Sequence, residues 1–381
     1  MRTIPDISNV IRQIDEIILT EFIPALTGGI VINVDERKLL SLSPKDGGLG
    51  IPIFAEQSSV EYENSRLITA QLVKSIKQQE RLYKKDVNIS QKKTSIRNKK
   101  RNDAQTAVTL LKGILSVKQV RLMELNQEPN ASSWLTALPF AEEGYYLEKQ
   151  CFRDLLRIRY GWNLSRLPSS CECGASFSIE HALSCKKGGF ISMRHNQIRN
   201  FTAKALRDVC HDVCVEPMLQ KLTGEEELPK SANITDEGRL DISARGFWVT
   251  GQKAFFDVRV FNPLAKRYGT FSQNSQKCYE LNDREKKKEY NNRIMEIENG
   301  TFTPLVFSAT GGAGRECRKF CKRLAEMISE KKKSRYSETV TWVNRKINFA
   351  KIKALHICVR GSRSSMNQSY ESVFNYPTLS K

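Results

Sequence analysis

Apolar residues recur at helical spacing in the first part of the chain. Ile11, Ile14, Ile18 and Phe22 fall three or four apart and mark one face of a helix, and Pro24 and Gly28-Gly29 end the pattern. Gly47-Gly48-Leu49-Gly50-Ile51-Pro52 is a turn-rich break, and a further helix is expected over 62–77. Between 103 and 160, Val108, Leu111, Leu115, Val117 and Leu122 form an approximate apolar stripe. A loop follows around Trp134 and Pro139, and Phe152, Leu155 and Leu156 resume the pattern. No internal repeat is evident.

From residue 192 the pattern changes. Residues 194–209 form an amphipathic helix with Ile198, Phe201, Ala205, Leu206 and Val209 on one side. A short strand is expected over 213–217, and the polar, acidic run 224–238 reads as a loop. Two more strands follow: 239–243 alternates apolar and polar residues, and 254–261 is rich in β-formers. A charged helix from about 284 to 297, a strand over 302–309 and a turn at 311–314 come next. The last helix of this stretch places Cys317, Phe320, Cys321, Leu324, Ala325 and Ile328 on one face. The order α-β-β-β-α-β-α predicts a small mixed sheet flanked by helices, within an α+β protein whose N-terminal half is helical.

Composition narrows the class of partner. The chain has 381 residues, enough for two to four domains, and its 40% hydrophobic and 27% charged residues exclude a wholly disordered chain. Lys and Arg outnumber Asp and Glu 61 to 42, and the formal charge of +19 favours a polyanion. The basic run 77–102, with Lys92-Lys93 and Lys99-Lys100-Arg101, reads as a solvated helix or linker face, as a contact for nucleic-acid phosphates, or as a nuclear-import signal. No apolar run approaches the roughly 18 residues of a membrane helix, and no signal-peptide core precedes the first helix, so an intracellular protein with reduced thiols is expected.

Among the ten cysteines and four histidines, four positions lie close together. Cys171, Cys173, His181 and Cys185 follow the spacing C-x-C-x7-H-x3-C. Two thiolates on a tight turn, relieved by Gly174, and a His and Cys one helical turn apart can converge on one structural zinc ion. Cys210 with Cys214, and Cys317 with Cys321, are i,i+4 pairs on helix-like segments and read as small buried hydrophobes. Cys151, Cys278 and Cys358 are isolated. Gly311-Gly312-Ala313-Gly314 lacks the Lys-Ser/Thr ending of a phosphate loop and reads as a strand-to-helix turn.

Asp241 and Asp257 sit within apolar strands, 16 residues apart. A carboxylate there is unfavourable unless something compensates it. On adjacent strands the two can hold one hard cation, Mg²⁺ or Mn²⁺, which polarises a phosphodiester and acidifies water. The alternative is two edge-strand acids facing solvent or paired with Arg239 and Arg259. A third group should complete a cation site. Arg259 can clamp phosphate but cannot accept a proton. On the following helix Tyr290, Ile294 and Ile297 define the buried face, and Lys286 and Lys287 lie one turn earlier on it. Lys286 is favoured, with Lys277 a weaker candidate.

The combination of Cys171, Cys173, His181 and Cys185 with Arg239-Leu240-Asp241 and Phe256-Asp257-Val258 resembles the C-terminal part of certain non-LTR retrotransposon proteins. These carry a CCHC zinc knuckle followed by a restriction-enzyme-like endonuclease of the PD-(D/E)xK class. The segment 47–52 looks like the thumb region after the reverse-transcriptase palm of the same polyproteins. The resemblance implies a thumb-like helical segment at 1–75, a basic helical linker region at 76–168, the knuckle at 169–190, the nuclease at 191–332, and a C-terminal helix and flexible tail at 333–381. It implies a metal-dependent endonuclease that nicks DNA so that the freed 3′-hydroxyl primes reverse transcription. Asp241 and Asp257 would be its metal-binding acids, with structural Zn²⁺ in the knuckle. DNA, element RNA and the polymerase part of the element would be its partners, and the nucleus, otherwise the cytoplasm, its location. In that class a lysine usually stands two residues after the second acid; here Arg259 does, and Leu240 replaces the proline before the first acid. Retrotransposon members carry the lysine on the helix, where Lys286 stands. No Tyr-x-Asp-Asp polymerase motif occurs, so the same resemblance allows a non-catalytic, zinc-containing nucleic-acid-binding remnant, the tail of a mobile-element protein.

Overall fold

A computed structural model describes residues 2–79, 89–220, 239–271 and 274–363, and these form an α+β protein. The chain divides into two compact units, Met1–Gln127 with Tyr160–Trp162, and Glu128–Arg159 with Asn163–Lys381. This division differs from cuts at 75, 168, 190 and 332. Residues 128–159 and the last helix are bonded into the second unit: Asn348 donates to Ala131 O (3.1 Å) and Ser133 Oγ (2.8 Å), and buried Asp154 takes Arg360 at 2.7 Å and His356 at 3.1 Å. Part of the basic run (80–88), the whole of the loop expected at 224–238 together with 221–223, and the tail from 364 lie outside the described residues.

The first unit is helical. α1 (Ser8–Ile17) passes through a π-turn (Ile18–Phe22) into α2 (Ile23–Thr27). The helix does not stop at Pro24, because the wider π-turn just ahead of it offsets the bonding ladder where proline has no N–H to give. It stops instead at Gly28, whose φ of +78° suits glycine. α3 (Val34–Ser41) starts with a capping box between Asn33 and Glu36. The buried Arg37 of α3 donates to Ile51 O and Pro52 O, both at 2.8 Å, and so secures the turn-rich segment 47–52. α4 (Phe54–Gln78) begins eight residues before the predicted helix, because Asp15 of α1 accepts the amides of Phe54 (2.9 Å) and Ala55 (2.8 Å) and caps it. α5 (Ile89–Ile114) carries residues 89–102 of the basic run, and α6 (Val117–Gln127) closes the unit.

The second unit is built on a sheet. α7 (Lys149–Tyr160), α8 (Ile179–Ala182) and α9 (Phe190–Arg207) precede β1 (His211–Val215), β2 (Ile242–Arg245) and β3 (Lys253–Phe261). α10 (Ser275–Glu296), β4 (Thr301–Ser308), α11 (Arg315–Lys332) and α12 (Tyr336–Arg360) follow. The strand order is β1-β2-β3-β4; the first two pairings are antiparallel and β3 with β4 is parallel. The parallel step is possible because α10 crosses over between β3 and β4. Alternation along β3 fixes the two faces. Ala254, Phe256 and Val258 pack with Ile198 and Leu206 of α9 and with Phe320 and Leu324 of α11. Phe255 packs with Tyr290 and Ile294 of α10, and Phe261 with Tyr279.

α10 starts at Ser275, about nine residues ahead of the predicted start, where Asn274 accepts the Lys277 amide. Cys317 and Cys321 fill the core as expected. Cys214 does not: it is exposed on β1, and Cys210 lies in the turn ahead of that strand. Residues 311–314 make the strand-to-helix turn into α11, with Gly311 at φ +119° and the buried Lys351 donating to Gly312 O at 3.2 Å. Phe256 is fully buried, with edge-to-face contacts to Phe247 (5.3 Å) and Phe320 (5.0 Å). Phe256→Ala is therefore expected to destabilise the protein by about 3–5 kcal/mol, read as a lower midpoint in urea unfolding.

Candidate functional site

β2 and β3 pair with Ile242 opposite Phe256, and Asp241 and Asp257 are the residues just beyond that pair, one before Ile242 and one after Phe256. Asp241 lies one residue before β2, where the ladder opens, and its side chain takes over a strand acceptor's role: Oδ2 accepts the Val258 N–H at 2.6 Å. The same oxygen is 2.9 Å from His195 Nε2 on α9. Asp257 is only 6% exposed, on a strand flanked by β2 and β4. Lys286 of α10 reaches Oδ2 of Asp257 at 3.2 Å, an ion pair without hydrogen-bond geometry, and also lies 3.6 Å from Glu289. Its ammonium sits over the Tyr290 ring, 5.2 Å from the centroid.

Neither acid takes the alternative arrangement. Arg239 pairs with Glu216 at 2.7 Å, and Arg259 with Glu285 at 2.9 Å. Arg259 is thus held by a carboxylate on the helix, beside the acid pair but committed elsewhere. Lys277 is exposed in the first turn of α10, and Lys287 turns away to Glu316 at 3.8 Å. Lys286 is the lysine that meets Asp257.

Electrostatics follow from this packing. Burial pushes the Asp257 carboxyl up to about 7; Lys286 opposes the shift and the neighbouring Asp241 charge adds to it. Burial works to lower the Lys286 ammonium, but Asp257 and then Glu289 outweigh it and the net shift is upward. Burial works to lower His195, but the bond and charge of Asp241, with Asn196 and Asp257, together outweigh it and the net shift is upward. His195 is the site residue that the sequence did not disclose. It is one of four histidines, and its partner lies 46 residues away in the chain. The one available signal is its place on the helix that precedes the strands.

Cys171, Cys173, His181 and Cys185 converge, their ligand atoms all within 4.8 Å of one another. Among the described residues this is the one set of three or more His, Cys, Asp and Glu side chains placed to hold a metal ion. Gly174 at φ +85° and the bond from Cys171 N to Ala175 O (2.8 Å) fold the first pair back on itself. Ser178 caps α8 by accepting the His181 amide at 3.0 Å, and Cys185 N bonds to His181 O at 2.8 Å, which brings His181 and Cys185 to the same side. Cys171 and Cys185 sulfurs are 3.8 Å apart. That is far beyond a disulfide and close to the edge, about 3.8 Å, of a tetrahedron with Zn–S bonds of about 2.3 Å. Three sulfurs and one imidazole nitrogen suit zinc, so the cluster can bind a metal such as zinc.

This segment is bolted to the sheet near the acids. Asn262, just past β3, donates to Glu180 O and Ser184 Oγ, both at 3.1 Å. Arg194, 2% exposed and adjacent to His195, donates to Leu183 O (3.4 Å) and Val260 O (3.2 Å). Arg363 lies against Phe177 and Phe190 and donates to Ala182 O.

No protein-family model matches the chain, and no curated protein matches it. Among the described residues no helix is long and apolar enough to cross a membrane.

Two expectations follow. Because Asp257 keeps its proton in the folded state up to about 7, while an unfolded carboxyl releases it near 3.8, its contribution to metal-free stability falls as pH rises across that window. Asp257→Asn should flatten this slope in unfolding measured from pH 4 to 8. For the cluster, metal analysis should find about one zinc per chain, and Cys185→Ser should lose it together with several degrees of melting temperature.

Proposed function

We propose that this chain is the metal-dependent DNA endonuclease portion of a non-LTR retrotransposon protein, which nicks target DNA to prime reverse transcription. The observation that carries the reading is the ion pair of Asp257 with Lys286 from the next helix, beside Asp241, whose carboxylate accepts the amide of Val258, the residue after Asp257. The order α9-β1-β2-β3-α10-β4-α11, with antiparallel, antiparallel and parallel pairing, supports it as the arrangement expected of a restriction-enzyme-like PD-(D/E)xK core.

Asp241 and Asp257 fit Mg²⁺ or Mn²⁺: a carboxyl made reluctant to ionise by burial, and further by a like-charged neighbour, belongs to a donor pair that a hard cation relieves. The bound cation would supply charge neutralisation at the phosphodiester and acidify nearby water. Lys286, kept protonated by Asp257, presents a cation to a phosphate oxygen. Arg259 adds positive potential two residues along the same strand, with Glu285 holding its guanidinium in place. Zn²⁺ in the Cys171, Cys173, His181 and Cys185 cluster is structural, fixing the end of β3 and the start of α9 through Asn262 and Arg194. The +19 charge gathers DNA, and element RNA, through their phosphates. The polymerase part of the element extends the nicked end, and a chromosomal target places the reaction in the nucleus.

The test is conversion of supercoiled plasmid to nicked circles with Mg²⁺ or Mn²⁺. Asp241→Ala and Asp257→Ala should abolish it, and Lys286→Ala should slow it by about 10²-fold or more while DNA binding is nearly unchanged. Cutting that survives both aspartate substitutions removes the acids from the mechanism. Salt-sensitive binding without any cutting by the wild type leaves the zinc-containing binding remnant as the reading.

A further inference from the structure

We propose that His195 is a positioning residue of the acid pair, pinning the Asp241 carboxylate so that one chosen oxygen is offered to a divalent cation. The inference rests on the cation reading of Asp241 and Asp257 and adds to it a residue outside the two strands. Both hydrogen bonds to the Asp241 carboxylate land on Oδ2, one from the Val258 N–H at 2.6 Å and one from His195 Nε2 at 2.9 Å. Oδ1 has no hydrogen bond among the described residues and is the oxygen free to meet an ion. A carboxylate held by one donor can still swing about it; a second donor on the same oxygen, arriving from a different element, removes that freedom.

His195 is itself held. Its Nδ1 lies 3.2 Å from the Asn196 side-chain oxygen, and its side chain keeps 28% of its exposure. The preceding residue, Arg194, is fastened to Leu183 O and Val260 O, so the backbone carrying the imidazole is tied both to the metal-cluster segment and to β3 itself. The strand that supplies Asp257 and Val258 thus also anchors the helix that supplies the second donor. Donors that orient a ligating carboxylate typically change metal affinity 10–100-fold when removed.

The experiment is titration of Mn²⁺ into the zinc-loaded full chain, followed by calorimetry and by electron spin-echo detection of nitrogen coupled to Mn²⁺. Wild type, Asp241→Asn, His195→Ala and His195→Gln are compared, with the Mn²⁺ dependence of plasmid nicking as a second readout. His195→Ala should weaken Mn²⁺ binding about 10–100-fold and raise the Mn²⁺ needed for half-maximal nicking by the same factor. His195→Gln, whose amide N–H reaches as far as Nε2, should recover most of the loss, and it keeps the test decisive if the alanine variant folds poorly. Equal Mn²⁺ binding by wild type and His195→Ala overturns the proposal. So does a glutamine variant that folds yet binds as weakly as alanine, and so does a nitrogen coupling in the wild type that His195→Ala abolishes, which makes the imidazole a direct ligand. Failure of the underlying reading looks different: the wild type then binds no Mn²⁺ that Asp241→Asn removes.

Discussion

Two carboxylates brought close together at the end of a strand pair repel, and burial makes the Asp257 charge harder to keep. The sheet unit accommodates them by drawing compensation from elements on different sides. Lys286 comes from α10, His195 from α9, and the Val258 amide from the strand itself. This compensation needs the two strands in one register and both helices seated at the right height. A one-residue slip between β2 and β3 would carry the aspartates apart and turn every core side chain of β2 to the wrong face. Phe255 against α10 and Phe256 against α11 are therefore as much a part of the acid pair's geometry as the acids are.

The metal-cluster segment extends the same constraint. A short stretch with four potential ligands has little apolar surface of its own to bury, and a metal is what lets such a segment hold a shape. Here its shape is also borrowed by its neighbours. Carbonyls of Glu180, Ala182 and Leu183 receive Asn262, Arg363 and Arg194, whose side chains reach from the end of β3, from beyond α12 and from the first turns of α9. Arg194 has carbonyl oxygens rather than a carboxylate for partners, and burial lowers its affinity for the proton. That position is tolerable only while the carbonyls stay where they are, so the cluster and the acid pair share one mechanical support.

Much of the chemistry was legible in the sequence because it obeys local periodicities. The cysteine and histidine spacing needed only a turn and one helical step, and the acids stood out because carboxylates interrupt apolar strands. Lys286 followed from the helix period that leads to Tyr290 and Ile294, both buried as expected. What stayed hidden depends on contacts distant in the chain. Asp15 extends α4 from 39 residues away, and a π-turn carries the first helix through Pro24. Neither leaves a pattern in the segment it changes. His195 lies on the flank of the apolar stripe of Ile198, Phe201 and Leu206, where one polar residue among apolar ones names no partner; only the tertiary placement of α9 beside the opening of β2 and β3 gives it one. The division into units was likewise unreadable, because the bonds that place 128–159 with the sheet run to α12, more than 200 residues on.

The position of the lysine is where local and tertiary rules meet. On β3 the residue two beyond the second acid is Arg259, whose guanidinium stays charged and prefers a carboxylate fork. It finds one in Glu285. The next helical residue, Lys286, then stands beside Asp257, so consecutive residues of α10 serve alternate residues of β3. Helix rise and strand rise make this natural: one step along a helix turns the side chain by about 100°, enough to move from one strand position to the next on the same face. Lys287, one step further, has already rotated to Glu316 on α11. An arginine at 259 is thus compatible with a lysine at the acids, provided the helix carries an acid and a lysine in that order. Glu285-Lys286 is that pair, and it gives Asp257 a cation that the strand alone does not.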